Sequence, residues 1–200
     1  MKLQLSAAAL GLFMAFNANA TSLSGSLTVD NVFDLYLSTD ADVLGTHIAS
    51  GNNWQQTYSF SGVQLTAGQT YYLQVVATDL GRPEAFIGEF NLSDSGFTFA
   101  NGTQNQLTNL TDWTAVAGPA SSWSNPTATP ELRGTNGVSP WGVVNGVSSN
   151  AQWIWASSYG EGTAYFSTTI TAAVPEPSSY ALLLAGVAVL GAAARRSRKA

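Results

Sequence analysis

From Leu23 onward, apolar residues recur at every second position, the period of an extended strand with one buried face. Leu23 to Val29 opens the series, and Phe33, Leu35 and Leu37 follow on one face. Thr39-Asp-Ala-Asp42 reads as a turn. Tyr58-Ser-Phe60 and Val63-Gln-Leu65 straddle Ser61-Gly62, where a bulge or kink is expected. Thr70 to Thr78 carries apolar side chains on both faces, so it is predicted to be a central strand. Phe86, Phe90 and Leu92 line up beyond Pro83, and Gly96-Phe-Thr-Phe99 gives a shorter strand. Trp153-Ile-Trp155 and Ala164 to Ile170 supply two more near the end. The stretch from Trp113 to Asn150 is different, with four prolines and little alternation, and reads as a long excursion within one domain. Eight or nine short strands with Gly, Asn and Asp turns predict an all-β fold, an antiparallel β-sandwich or a closed barrel.

The two ends break the alternation. Met1-Lys2 precedes an apolar stretch from Leu5 to Phe16 and then Ala18-Asn19-Ala20, the layout of a secretory signal peptide over residues 1–20. The small residues Ala18 and Ala20 mark the signal peptidase site. At the other end, Val174-Pro-Glu-Pro177 leads into an apolar run, and Arg195, Arg196, Arg198 and Lys199 close the chain. The run lacks the polar stripe of a core helix, so a single transmembrane helix is expected at about 178–194, its basic end cytoplasmic. Residues 21–173 are left as one domain, large enough to bury a sizeable core. That body holds 11 acidic residues against two cations, Arg82 and Arg133, a balance of −9 that excludes nucleic acid as a partner. Cysteine is absent, which rules out a disulfide framework, thiolate metal sites and cysteine nucleophiles.

Pro175-Glu176-Pro177, the short apolar helix and the terminal cations together resemble a PEP-CTERM sorting signal over residues 174–200. The resemblance implies an exosortase, an integral-membrane cysteine protease, as partner, with Pro175, Glu176, Pro177, Arg195 and Arg196 as its recognition elements and cleavage near Pro175–Pro177. It also implies a Gram-negative bacterium that makes extracellular polysaccharide. The chain would be held transiently at the inner membrane, then released to the cell surface or extracellular matrix. A second resemblance lies in the body. Asp30-Asn31, Phe33, Tyr36 and Trp54, then Leu65-x-x-Gly-x-x-Tyr71 and Val75 to Asp79, are similar to a galactose-binding-domain-like jelly roll. Trp113, Pro140-Trp141-Gly142, Gln152 to Trp155 and Ala164 to Phe166 continue it. This likeness implies a sandwich whose loops at one end often hold sugars or calcium.

Candidate chemistry is sparse. His47 is the lone histidine, and no Gly-x-Ser-x-Gly elbow accompanies it. Glu84 and Glu89 fall on opposite faces of a regular strand, which defeats a glycosidase pair. Asp40 and Asp42, with Asp30 or Asp34, could offer oxygens to Ca²⁺, but the rest of a calcium loop is missing. No catalytic residue, metal site or cofactor is therefore assigned. Trp54, Trp123 and Trp141 sit at turns or in the excursion, where a flat ring can stack on a sugar, and they are the candidate ligand-binding residues. Packing of the long loop over the sandwich is the competing role for them. Trp113, Trp153 and Trp155 are expected in the core, the last two on one strand face. The sequence thus reads as a non-enzymatic exported protein associating with exopolysaccharide; the alternative is a structural or adhesive protein–protein module without sugar binding.

Overall fold

The computed structural model describes residues 20–119, 122–156, 162–173 and 177–197. The expected signal peptide, apart from Ala20, and Pro175 and Glu176 lie outside the described residues. Twelve strands form among those described: β1 (Ser22–Asp30), β2 (Val32–Ser38), β3 (Thr46–Gly51), β4 (Tyr58–Gln64), β5 (Thr70–Asp79) and β6 (Ala85–Leu92), then β7 (Phe97–Phe99), β8 (Asn105–Leu107), β9 (Thr114–Gly118), β10 (Glu131–Thr135), β11 (Gln152–Trp155) and β12 (Gly162–Ala172). They build two six-stranded antiparallel sheets, so the body is a β-sandwich. The first sheet runs β10-β11-β6-β1-β4, with β8 beside β11 on the same flank of β6. The second runs β3-β2-β5-β12-β7, with β9 also on β12.

Alternation explains the layers. In β1, Leu23, Leu27 and Val29 face inward; in β5, Tyr71, Leu73, Val75 and Ala77 do the same from the opposite sheet. Phe86, Phe90, Trp113 and Phe166 fill the space between, with ring centroids 5.1 to 5.5 Å apart, the spacing of tilted and edge-on aromatic contacts. As predicted, β5 is central, paired with β2 on one side and β12 on the other. The bulge expected at Ser61-Gly62 is present. Leu23 opposes Val63 and Gly25 opposes Phe60, so Ser24 alone faces two residues of β4, and Gly62 supplies the φ of +75° there.

The excursion is more ordered than its sequence suggests. Its first part forms β9 against β12, and its middle forms β10 against β11. The part from Asn136 to Ala151 folds over the outer face of the first sheet, where Trp141, Val144, Val147 and Ala151 bury Ala85, Ile87 and Trp153 in a second apolar cluster. Asn136 organises that cover: its side-chain amide reaches the carbonyls of Val144, Val147 and Ser148, and its Oδ1 accepts from the Val144 N–H at 2.7 Å. Trp153 and Trp155 are both buried, but they do not share a face. Trp153 joins this outer cluster, while Ile154 and Trp155 both enter the main core.

Beyond the sandwich, α1 (Pro177–Ser197) is a helix of 21 residues. Leu182, Leu183, Leu184, Val187, Val189 and Leu190 on it are all exposed. The spanning helix expected over 178–194 is not found: among the described residues, no helix is long and apolar enough to cross a membrane. The uncharged apolar stretch is short, and at 1.5 Å per residue about 14 residues reach only ~21 Å against a hydrocarbon layer of ~30 Å. Alanine and glycine dilute it further.

Candidate functional site

The three candidate tryptophans do not converge. Trp141 is buried, stacked on Trp153 with centroids 4.8 Å apart, and its indole Nε1 donates to Asp30 Oδ2 at 2.9 Å. Trp54 is half-buried against the same outer cluster, and its carbonyl accepts from Thr28 Oγ1. Trp123 lies on the other side of the molecule, over the second sheet. Its ring packs on Tyr165 at 5.3 Å and its Nε1 donates to the Ala41 carbonyl at 2.9 Å. The Tyr165 hydroxyl in turn meets the carbonyls of Pro119 and Ser122. Each indole therefore holds a loop to the sandwich.

A groove of about 460 Å³ opens next to Trp123, on the outer face of the second sheet. Tyr72 of β5 and Thr169 of β12, cross-strand partners, lie in its floor with Ser167. Asp112, Asn125 and Pro126 border it. Ala41, from the Asp40–Val43 turn, lines it as well, and Gln74 fixes that turn from below: the buried amide shares its two N–H donors among the carbonyls of Asp40, Ala41 and Val43 at 3.2 to 3.3 Å. Asn125 Nδ2 adds a bond to Asp42 Oδ1 at 3.0 Å. No sequence signal marked Gln74, since a glutamine on a strand ordinarily points to water.

The acidic and histidine candidates are dispersed. Asp40 Oδ1 accepts from the Asp42 N–H in a local turn, and Asp34 pairs with His47 at 3.1 Å on the surface. Among the described residues, no group of three His, Asp or Glu side chains is placed to hold a metal ion. Glu89 accepts from Asn105 Nδ2 and the Ser148 N–H, whereas Glu84 is buried and ion-paired with Arg133 at 3.2 Å. Arg133, whose side chain is 7% accessible, also reaches Glu131 at 2.9 Å. Asp30 is pushed above the ordinary carboxylate range, chiefly by burial and slightly by the charge of Glu84, against the lowering effect of bonds from Trp141 and Asn31.

Both ends of the sandwich leave from one corner. Thr21 is buried there; its Oγ1 donates to Asp94 Oδ1 at 2.5 Å and its carbonyl accepts from the Leu65 N–H at 2.8 Å. Asp94 also accepts from the Gly96 N–H and Ser93 Oγ. The Thr21 bond leads these in holding its carboxyl below the usual range. Two residues on from Asp94, the Gly96 carbonyl accepts from the Ala173 N–H at 2.9 Å, just past the end of β12. Past it come Pro177, the apolar helix and its basic last turn with Arg195 and Arg196. Residues 173–199 match the PEP-CTERM protein-sorting motif. No curated protein and no solved structure matches the chain, so the galactose-binding-domain likeness of the body has no further support. The PEP-CTERM motif begins at Ala173, immediately beyond the end of β12. Such a motif implies an exported protein that exosortase processes and sorts to the cell surface.

Proposed function

We propose that this chain is a non-enzymatic surface or matrix protein of a Gram-negative bacterium, in which a signal peptidase cuts after Ala20 and an exosortase cuts near Pro175–Pro177. The observation that carries the reading is the PEP-CTERM match on a helix whose leucines and valines from Leu182 to Leu190 are exposed. Those exposed side chains engage the membrane until the tail is removed, with Arg195 and Arg196 at the basic end of the helix. The sandwich then associates with exopolysaccharide outside the cell. The non-enzymatic part is supported by the candidate acids: Glu84, Glu89 and Asp30 are each engaged in a structural contact.

Expression with and without an active exosortase, followed by mass spectrometry of surface and secreted material, tests the first half. The mature chain is expected to start at Thr21 and to lack Arg195 and Arg196, with intact tails accumulating in membranes when the exosortase is inactive or Pro175, Glu176 and Pro177 are replaced by alanine. Secreted chains that still carry residues 195–200 overturn it. For the second half, the purified body is expected to sediment with the producing cell's own exopolysaccharide; a body that stays in the supernatant refutes the association.

A further inference from the structure

The groove beside Trp123 has the attributes of a ligand site that the tryptophan candidates lack. Ala41 on one side and Asn125 and Pro126 on the other line it, from segments more than 80 positions apart in the chain that the Trp123–Ala41 and Asn125–Asp42 bonds tie together. With Gln74 fixing the turn from beneath, the groove is preformed, so a ligand need not order it on binding. Its floor mixes a half-exposed phenol ring, Tyr72, with the hydroxyls of Ser167 and Thr169. A ring to stack on and hydroxyls to exchange hydrogen bonds fit a pyranose, and about 460 Å³ accommodates a few sugar rings. Charge decides the class. The body's −9 balance and Asp112 at the groove's border repel carboxylated or sulfated polymers, and among the described residues no cation lines the groove.

We propose that this groove on the outer face of the second sheet binds a neutral polysaccharide chain, with Tyr72 as the stacking platform and Asn125 and Thr169 as polar contacts. The assignment rests on the exopolysaccharide association proposed above and gives it a location away from Trp54 and Trp141. Affinity gel electrophoresis in dextran, galactomannan and xyloglucan, with alginate as the charged control, reads it out. The parent body is expected to be retarded by at least one neutral polymer and not by alginate. Tyr72→Ala should weaken retardation about tenfold or more, Tyr72→Phe should keep most of it, and Trp141→Phe, remote from the groove, should leave it unchanged. Retardation by none of the neutral polymers overturns the inference, as does a folded Tyr72→Ala body that binds like the parent; unchanged thermal unfolding certifies that fold. Co-sedimentation with the cell's own exopolysaccharide separates the two failures. If parent and Tyr72→Ala sediment equally, the groove is wrong and the association stands; if the parent does not sediment, the association itself fails.

Discussion

Replacing Arg133 by methionine should be among the most damaging single changes in the body. The guanidinium is 7% accessible and sits 3.2 Å from the carboxylate of Glu84, itself 2% accessible. Removing one partner of a buried pair strands the other charge, at a cost of ~3–5 kcal/mol. The Glu131 contact adds little, since that carboxylate is 41% exposed and water screens it. Against a total stability of ~5–15 kcal/mol, and at ~2–4 °C per kcal/mol for a domain of this size, the melting temperature should fall by about 10 °C. Urea unfolding of the parent, Arg133→Met, Glu84→Leu and the double variant measures the pair. Because burying two charges is itself expensive, the double variant should recover to within about 1 kcal/mol of the parent or exceed it. A single Arg133→Met variant that loses less than about 1 kcal/mol, or a double variant as unstable as the single one, would show that the pair does not hold this part of the fold as argued.

Asp30 gives a pH signature. Its raised carboxyl means that the folded state keeps the proton more readily than the unfolded chain, so stability is fully present below the unfolded value near 3.8 and is lost as pH rises through the folded one. Asp30→Asn cannot ionise and should gain on the parent across that window; a difference in unfolding free energy that stays flat from pH 3 to 7 refutes this. Asp94 has the opposite sign: its lowered carboxyl stabilises above 3.8 and the gain disappears as pH falls through the folded value, a dependence that Asp94→Asn should abolish in acid titrations followed by circular dichroism. Gly45→Ala would place a Cβ 2.0 Å from the Leu37 carbonyl oxygen and 2.5 Å from the Ser38 Cα, backbone that cannot give way locally. A loss of ~1–3 kcal/mol or more is expected in chemical denaturation, and a neutral result contradicts the close approach.

Strands with apolar residues at every second position were legible because burial on one face writes itself into the sequence: β1, β2, β5, β6 and β12 each lie within a few residues of their predicted spans. What escaped was short or polar. β8 is Asn-Gln-Leu and β10 is Glu-Leu-Arg-Gly-Thr, and neither carries a period that three to five residues can display. Arg133 and Glu84 are 49 positions apart, and an arginine in a turn-rich stretch reads as solvated until its partner is known to lie beneath it. Trp141 was misread as exposed for a related reason. Indoles in loops suggested exposed platforms, yet the loop from Asn136 to Ala151 folds back over the first sheet and uses Trp141 as its anchor. The tail was readable residue by residue because its features are local.

The placement of the tail in the sandwich has a mechanical consequence. β12 carries it, and β12 is interior to the second sheet: ten residues pair with β5 on one side, while β9 and β7 occupy the other. A pull on the helix runs along β12 and loads those ladders in shear, so that many hydrogen bonds must yield together before the strand moves. An edge strand at the same position would be held on one flank only and could peel. The corner bond between the Ala173 N–H and the Gly96 carbonyl is the first that tension would meet, and its loss leaves the Thr171–Thr70 and Ile170–Tyr71 pairs in place. Ser167 and Thr169, in the floor of the groove, are on this same strand. A cut beyond Ala173 therefore releases the body without disturbing that floor, and the groove is formed before and after processing alike.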